Sequence, residues 1–227
     1  MDKTSARRGQ WRIIEERGPA DRLHGAAAEA LSAAPVQRLV RLPIATQPAL
    51  VLGSHQSEAA FDPAALAAAG LELARRRSGG TAVLVRPGAV LWADFVIPSG
   101  DPLWDDDVGR AAWWVGEVWR AAIGAGEVWE GPMRRSAWSP LVCFAGLGPG
   151  EVTLGGRKVV GVCQRRTRFG ALFQTAALLD WQVGEYLAVL RPDRVPAPPG
   201  LLETAATGLG TGERDRLRSA LLGQLMP

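Results

Sequence analysis

A chain of 227 residues is long enough for one domain with a substantial core, with at most a short appendage. Hydrophobic residues make up 47% and charged residues 22%, an ordinary globular balance, and a net charge of +3 is too small by itself to point to nucleic acid. Two cysteines, Cys143 and Cys163, cannot build a disulfide framework, no run of about 18 apolar residues is present, and no apolar run follows the polar, basic first ten residues as it would in a signal peptide. The expected location is therefore the cytoplasm, with neither membrane nor nucleic acid as partner.

Trp11 to Glu16 reads as a first strand, and the Ala-rich stretch Pro19 to Ala34 as a helix with proline in its first turn. Gln37 to Leu42 and Ala49 to Leu52 are short strands. The next helix starts near Asp62-Pro63 and stops at Gly70. Leu71 to Arg76 is a strand, broken by Ser78-Gly79-Gly80. Thr81 to Val85 and Val90 to Ile97 follow, joined by a turn at Pro87-Gly88. Asp105-Asp106-Asp107 opens a helix to about Ile123, where acidic side chains suit the helix dipole. Val128 to Arg135 reads as extended, and Leu141 to Phe144 as a short apolar run. Glu151 to Leu154 and Arg157 to Cys163 flank Gly155-Gly156, the pattern of a tight hairpin. Phe169 to Leu178 is a further strand and Gln182 to Leu190 a helix. Pro192 to Pro199 is a Pro-rich linker, and Leu201 to Leu225 is largely helical. The organisation expected is a flexible 1–10, a domain over 11–191, and a linker with terminal helix over 192–227. Several neighbouring strands are too close in sequence for helical crossovers, so the class is α+β, a mixed and largely antiparallel sheet with flanking helices.

Three segments carry chemistry. Arg75-Arg76-Arg77-Ser78-Gly79-Gly80-Thr81-Ala82-Val83 places glycines between strands, where backbone approaches a ligand closely and arginine adds a positive fork. The same composition also suits a purely structural turn. Lys158, in Gly156-Arg157-Lys158, follows the hairpin and by strand alternation shares a face with Val160 and Val162. A lysine on an apolar face is costly unless its charge is used, though an edge guard or a snorkelling side chain would also fit. Cys143 is a nucleophile only if a nearby cation stabilises its thiolate, and otherwise an inert core residue. The arginine clusters at 75–77, 134–135 and 165–168 suit either a solvated surface or an acidic partner. His24 and His55 are isolated, no metal-ligand spacing occurs, and Walker, dinucleotide and nucleophile-elbow motifs are absent.

Taken together, the segments resemble the lipoate–protein ligase A family, which includes cysteine-dependent octanoyltransferases and shares its catalytic domain with biotin–protein ligases. Leu50 to Gln56 resembles the strand and Gly-x-x-Gln turn near the family's substrate pocket. Ala74 to Val83 resembles its Arg-Arg-x-Ser-Gly-Gly-Gly-Ala-Val signature, and Gly156 to Arg165 its Gly-Lys-Lys-x-x-Gly-x-x-x-Arg signature. The resemblance covers about Trp11 to Leu190. It implies a class II synthetase-like catalytic fold and an enzyme that attaches a lipoyl or octanoyl group to a lysine of a lipoyl domain. It implies that Arg76, Ser78, Gly79, Gly80, Thr81, Ala82, Val83 and Gly161 line the acyl and nucleotide pocket, and that Lys158 contacts the acyl carbonyl.

For a ligase the resemblance implies ATP and Mg with lipoate; for a transferase it implies no cofactor, an octanoyl group from an acyl carrier protein, and Cys143 as nucleophile. Cys143-Phe144, Glu151 and Gly156-Arg157-Lys158 match the layout of the cysteine-dependent branch. The acceptors implied are the lipoyl domain of a 2-oxoacid dehydrogenase or a glycine-cleavage H-type protein. The chain departs from the family where Val85 and Gln174 stand in place of histidines, where Thr81 replaces a third glycine, and where the large accessory C-terminal domain of larger ligases is expected. A non-catalytic module that binds a small acid or a protein is the alternative those departures motivate.

Overall fold

The computed structural model describes residues 3–32, 36–198 and 200–226. Ten strands make two sheets. They are β1 (Arg12–Gly18), β2 (Leu39–Ala45), β3 (Ala49–Leu52), β4 (Glu72–Arg75), β5 (Val83–Val85), β6 (Val90–Pro98), β7 (Glu127–Val128), β8 (Val152–Leu154), β9 (Arg157–Thr167) and β10 (Gly170–Leu178). The larger sheet has the order β1-β2-β6-β10-β9-β8-β7, and the smaller the order β4-β3-β5. Only β1–β2 and β3–β4 are parallel; the remaining pairs are antiparallel.

The helices are α1 (Lys3–Ala6), α2 (Ala20–Glu29), α3 (Pro63–Ala68), α4 (Trp113–Ile123), α5 (Val183–Val189), α6 (Gly200–Ala205) and α7 (Arg214–Gly223). Their placement follows from alternation along buried strands. Leu91, Ala93, Phe95 and Ile97 of β6, with Ala171, Phe173 and Ala177 of β10, meet Trp114, Val115, Val118 and Trp119 of α4 and Leu217 and Leu221 of α7. The opposite face of the large sheet, through Val90, Trp92 and Leu178, meets Ala49, Val51, Val83 and Val85 of the small sheet. The small sheet's other face, Leu50, Leu52 and Leu84, packs under Leu66, Tyr186 and Val189. The result is four layers: helices, large sheet, small sheet, helices.

Most expected elements are present, with instructive differences. The first long helix is described to Glu29, and the expected tail at Ala33 and Ala34 lies outside the described residues, as do Met1, Asp2 and Pro199 of the expected terminal segments. Asp62 caps α3 by accepting from the Ala64 amide at 2.8 Å, and Gly70 beyond it takes φ +63°. The acidic run before α4 is a loop: Asp107 accepts from the Arg110 amide at 2.8 Å and starts a 3-10 turn, Arg110–Ala112, and α4 proper begins at Trp113. Residues 129–135 are not an extended strand. β7 ends at Val128 because Trp129 folds back, its Nε1 donating to the Pro132 carbonyl at 2.9 Å.

Residues 200–225 fold onto the domain. Leu202, Leu217, Leu221 and Leu225 are each fully buried, and the Thr207 amide donates to the Lys158 carbonyl at 3.0 Å.

Candidate active site

Gly155 and Gly156 turn β8 into β9 with φ +57° and +76°, both left-handed, as a two-residue hairpin of the favoured twist requires. Pairing of Thr153 with Lys158 and of Val152 with Val160 leaves one extra residue in β9, a bulge. The bulge corrects the expectation from simple alternation. Val160 and Val162 belong to the helix-side core, whereas Lys158 faces the small sheet with Gly161. A Cβ built on Gly161 would lie 3.4 Å from Lys158 Cε and 3.2 Å from Phe144 Cζ, so glycine there makes room for the lysine stem and the ring.

Lys158 is 3% exposed. Its Nζ donates to the Cys143 and Gly146 carbonyls, each at 3.0 Å, pairs with Glu151 Oε2 at 2.7 Å and sits 4.9 Å from the centre of the Phe144 ring. Glu151 also accepts from the Gly148 amide at 2.7 Å and the Val162 amide at 3.2 Å. Burial is the largest single effect and works against the lysine's charge, but the Glu151 carboxylate and the two thiols together outweigh it and hold the ammonium above its ordinary value. Burial pushes Glu151 up to about 7 despite the lysine.

Cys143 opens a 3-10 turn, Cys143–Ala145. Its amide donates to the Ala82 carbonyl at 2.9 Å, and the Ala82 amide donates to the Leu141 carbonyl at 3.2 Å, which stitches the cysteine loop to the strand after the Gly-Gly turn. Gln56 adds a second tie, its Nε2 donating to the Leu141 carbonyl at 3.0 Å, while the Ser54 amide donates to the Ser78 carbonyl at 3.1 Å. The Gly53–Gln56 turn thus ties the cysteine loop to the Ser78–Gly80 turn. Arg76 is buried and donates to the carbonyls of Gly79 and Thr81, each at 2.9 Å; its Nη2 also lies 3.8 Å from Cys143 Sγ.

Gly80 has φ +94°, and a Cβ there would lie 3.4 Å from Cys163 Sγ, 3.5 Å from Cys143 Sγ and 2.5 Å from Arg76 Nη2. Three side chains therefore crowd one residue that can only be glycine. The Cys143 thiol is held below the ordinary thiol value by hydrogen bonding from Cys163 first, then by Lys158 and Arg76, against the opposing effect of burial. The Cys163 thiol is pushed up, chiefly as the donor to Cys143.

Two cavities meet at the sulfurs. A narrow slot of about 50 Å³ runs between the sheets, walled by Val51, Val83, Val85, Trp92 and Phe144. A wider groove of about 440 Å³ is lined by Gly79, Gly80, Thr81, Arg135, Glu151 and Lys158. Cys143 and Cys163 line both. Behind the slot, the Ser78 hydroxyl donates to Gln174 Oε1 at 2.6 Å, and Gln174 Nε2, which can only donate, reaches His24 Nδ1 at 3.0 Å. His24 stacks on Trp92 with centroids 4.2 Å apart, and burial, helped by Arg76 and Arg41, pushes it down to about 3, so it is neutral. Asp94 accepts from Trp92 Nε1 at 2.7 Å and Arg41 Nη1 at 2.8 Å, and burial raises it to about 6.

Of the residues singled out in the sequence, Lys158, Cys143, Arg76, Gly79, Gly80, Thr81, Val83 and Gly161 converge on these cavities. Ser78 lies just behind them, and Ala82 turns its methyl into the outer core and contributes backbone alone. Glu151, Cys163, Gln56, Gln174 and His24 join the site without having been singled out for it. Gln56, Glu151 and Gln174 stood at positions the resemblance had marked, and Cys163 lay inside its second signature. Of the arginine clusters, Arg134 lies over Trp129 and Arg166 over Trp104. Among the described residues, no group of three or more His, Cys, Asp or Glu gathers as a metal site, and no helix is long and apolar enough to cross a membrane.

Charge and sulfur thus meet at the mouth of a largely apolar slot, and comparison with known proteins supplies the family. The sequence pattern of the lipoyl protein ligase A/B catalytic domain matches residues 23–198. No curated protein sequence matches significantly. Among solved structures, the chain is similar to a bipartite lipoate protein ligase from Thermoplasma acidophilum, described with its E2 lipoyl domain, at TM-score 0.69 and 18% identity over 95% of this chain and 82% of that one. It is also similar to a lipoate-protein ligase A bound with ATP, at TM-score 0.65 and 19% identity over 95% and 84%. A third likeness is to P. falciparum LipL1 in complex with lipoate, at TM-score 0.63 and 12% identity over 95% and 61%.

Proposed function

The chain belongs to the lipoyl protein ligase A/B catalytic domain family, an enzyme family of protein lipoylation, and on that premise we propose that it transfers an octanoyl or lipoyl group to a lysine of a lipoyl domain through a Cys143 thioester. The observation that carries this reading is the position of Cys143 Sγ: it lines both the apolar slot and the open groove, with the Arg76 guanidinium 3.8 Å away. The acyl chain would enter the slot, whose walls must part to hold it, and the groove would take the donor and acceptor.

In the first half-reaction the Cys143 thiolate attacks the thioester carbonyl of an acyl carrier protein, and the carrier's thiolate leaves. In the second, the acceptor lysine attacks as a free amine, the amide forms and Cys143 departs as thiolate. The proton lost by the amine balances the one gained by the carrier thiol. Lys158, whose protons are held by the Cys143 and Gly146 carbonyls and Glu151, would stabilise the oxyanion of each half-reaction through its charge, which acts strongly in a site of low dielectric. Glu151 is its positioning residue. The acceptor is the lipoyl domain of a 2-oxoacid dehydrogenase or a glycine-cleavage H-type protein.

A second reading is an ATP-dependent ligase, favoured by the width of the groove and by Gly79, Gly80, Arg135 and Lys158 along it, a set suited to a nucleotide phosphate. Magnesium fits less well: the carboxylate lining the groove, Glu151, is committed to Lys158, Gly148 and Val162. ATP, when bound, would supply the adenylyl group that activates the lipoate carboxylate, with pyrophosphate leaving.

The test is to weigh an apo lipoyl domain after incubation with octanoyl carrier protein alone, and separately with lipoate, ATP and magnesium. We expect a mass gain from the carrier protein that Cys143→Ser abolishes. A gain only with ATP, insensitive to that substitution, would overturn the cysteine route in favour of the ligase. No gain in either mixture would leave a non-catalytic binding module.

A further inference from the structure

Cys163 has no part in the mechanism above, yet it shares both cavities with the nucleophile. It comes from the middle of β9, while Cys143 comes from a 3-10 turn, and both sulfurs press on the same glycine, Gly80. Both line the slot and the groove, both are free thiols, and both are half-buried. The two sulfurs nonetheless have unlike surroundings. Arg76 acts on both sulfurs, but the Lys158 ammonium is bound to the carbonyl of Cys143 itself, at 3.0 Å. The negative charge of the pair therefore belongs on Cys143, and the one proton the pair keeps belongs on Cys163.

We propose that Cys163 is a positioning residue for the acyl-transfer reaction: its thiol donates to Cys143 Sγ, fixing Cys143 as the nucleophile and steadying it again when it departs. The inference rests on the proposed Cys143 thioester route. No covalent bond to Cys163 forms. In the resting enzyme its S–H faces the Cys143 thiolate, in the acyl-enzyme it faces a neutral thioester sulfur, and in the second half-reaction it meets the charge returning to that sulfur. A donor that binds the thiolate more strongly than the thioester helps a leaving group as well as stabilising the resting anion. The opposed shifts of the two thiols, Cys143 down and Cys163 up, agree with this division of the proton.

The experiment uses the full chain and reads Cys143 directly. Wild type, Cys163→Ala and Cys163→Ser are alkylated with iodoacetamide across a pH series, and the rate is followed on the Cys143 peptide by mass spectrometry. Cys163→Ala is expected to raise the pH of half-maximal alkylation by about one pH unit or more, since a thiolate donor is lost, while Cys163→Ser keeps a donor and stays within about half a unit of wild type. In the carrier-protein assay, kcat of Cys163→Ala is expected to fall about tenfold with KM within about twofold, and Cys163→Ser to recover most of it. An unchanged alkylation profile in Cys163→Ala, or a serine variant no better than alanine, would overturn the proposal. Alkylation needs no acyl transfer, so it decides this point even if transfer proves independent of Cys143, a result that would instead sink the thioester route.

Discussion

Each proton of the Lys158 ammonium already has an acceptor: two carbonyls and a carboxylate that is itself held by two amides. The sequence made this residue visible through its turn and its neighbours, but its partner was legible only as a letter in a pattern. Glu151 sits before the hairpin, and nothing in its spacing says that it folds back onto the lysine. Removing Lys158 leaves a buried carboxylate with no countercharge. Lys158→Ala is therefore expected to lose activity and about 3 kcal/mol of stability at pH 7.5 in urea unfolding. Glu151 is already raised to about 7 with the lysine present, so without it the penalty is that of an acid raised still further. Such a penalty grows as pH rises, and the deficit of Lys158→Ala should shrink between pH 7.5 and 5. Adding Glu151→Gln should recover stability but not activity.

His24 was dismissed by the sequence as isolated, because its partners, Gln174 and Trp92, are far along the chain. Its pKa falls from 6.5 to about 3 on folding, so the stability tied to its neutral form is complete above 6.5 and is lost as pH falls below that value. One proton taken up only by the unfolded chain corresponds to about 2 kcal/mol lost between pH 7.5 and 5. His24→Phe is expected to be less stable at pH 7.5, with Gln174 left short of a partner, yet to show a smaller loss on acidification. An equal loss in both proteins would show that His24 does not titrate this way.

At the scale of elements, the hairpin and the first glycine turn look alike in sequence and differ in what surrounds them. A Cβ on Gly155 would meet nothing within 4 Å, so only the left-handed backbone resists substitution. Gly155→Ala should cost about 1 kcal/mol and leave kcat near wild type. A Cβ on Gly53 would overlap the Gly80 carbonyl, so Gly53→Ala must displace the Gly79–Thr81 turn and with it Arg76 and the cysteine loop. Activity is expected to fall by more than about tenfold, out of proportion to the loss in melting temperature. Alternation and turn chemistry located nearly every strand and both glycine turns. They could not reveal the bulge beside Lys158, because an inserted residue leaves no mark in a pattern of apolar letters, and it was the bulge that decided which face the lysine takes.

At the scale of the whole molecule, the fold class was readable because strand spacing rules out crossovers, while the layering was not. The runs in β6 and β10 are apolar on both faces, which tells that they are covered twice but not by what. The segment after the Pro-rich stretch is part of that covering. Ala206 bridges to Lys158, and Leu217 and Leu221 pack in the same cluster as Trp119 of α4. Leu221→Ala is expected to cost about 3 kcal/mol, as for a fully buried leucine in a tight core. Deleting residues 200–227 should abolish cooperative unfolding rather than trim a dispensable tail, a result read directly by calorimetry.

The meeting of a dry slot and an open groove at two sulfurs also bears on what the enzyme must avoid. On the proposed thioester route, a chain seated in the slot would leave its thioester facing the groove, where water and the acceptor would compete for one doorway. Faithful transfer then becomes a race: the fraction of acyl groups wasted by hydrolysis is set by how long the doorway stands without an acceptor in it, and the width of the groove tunes both sides of that race together.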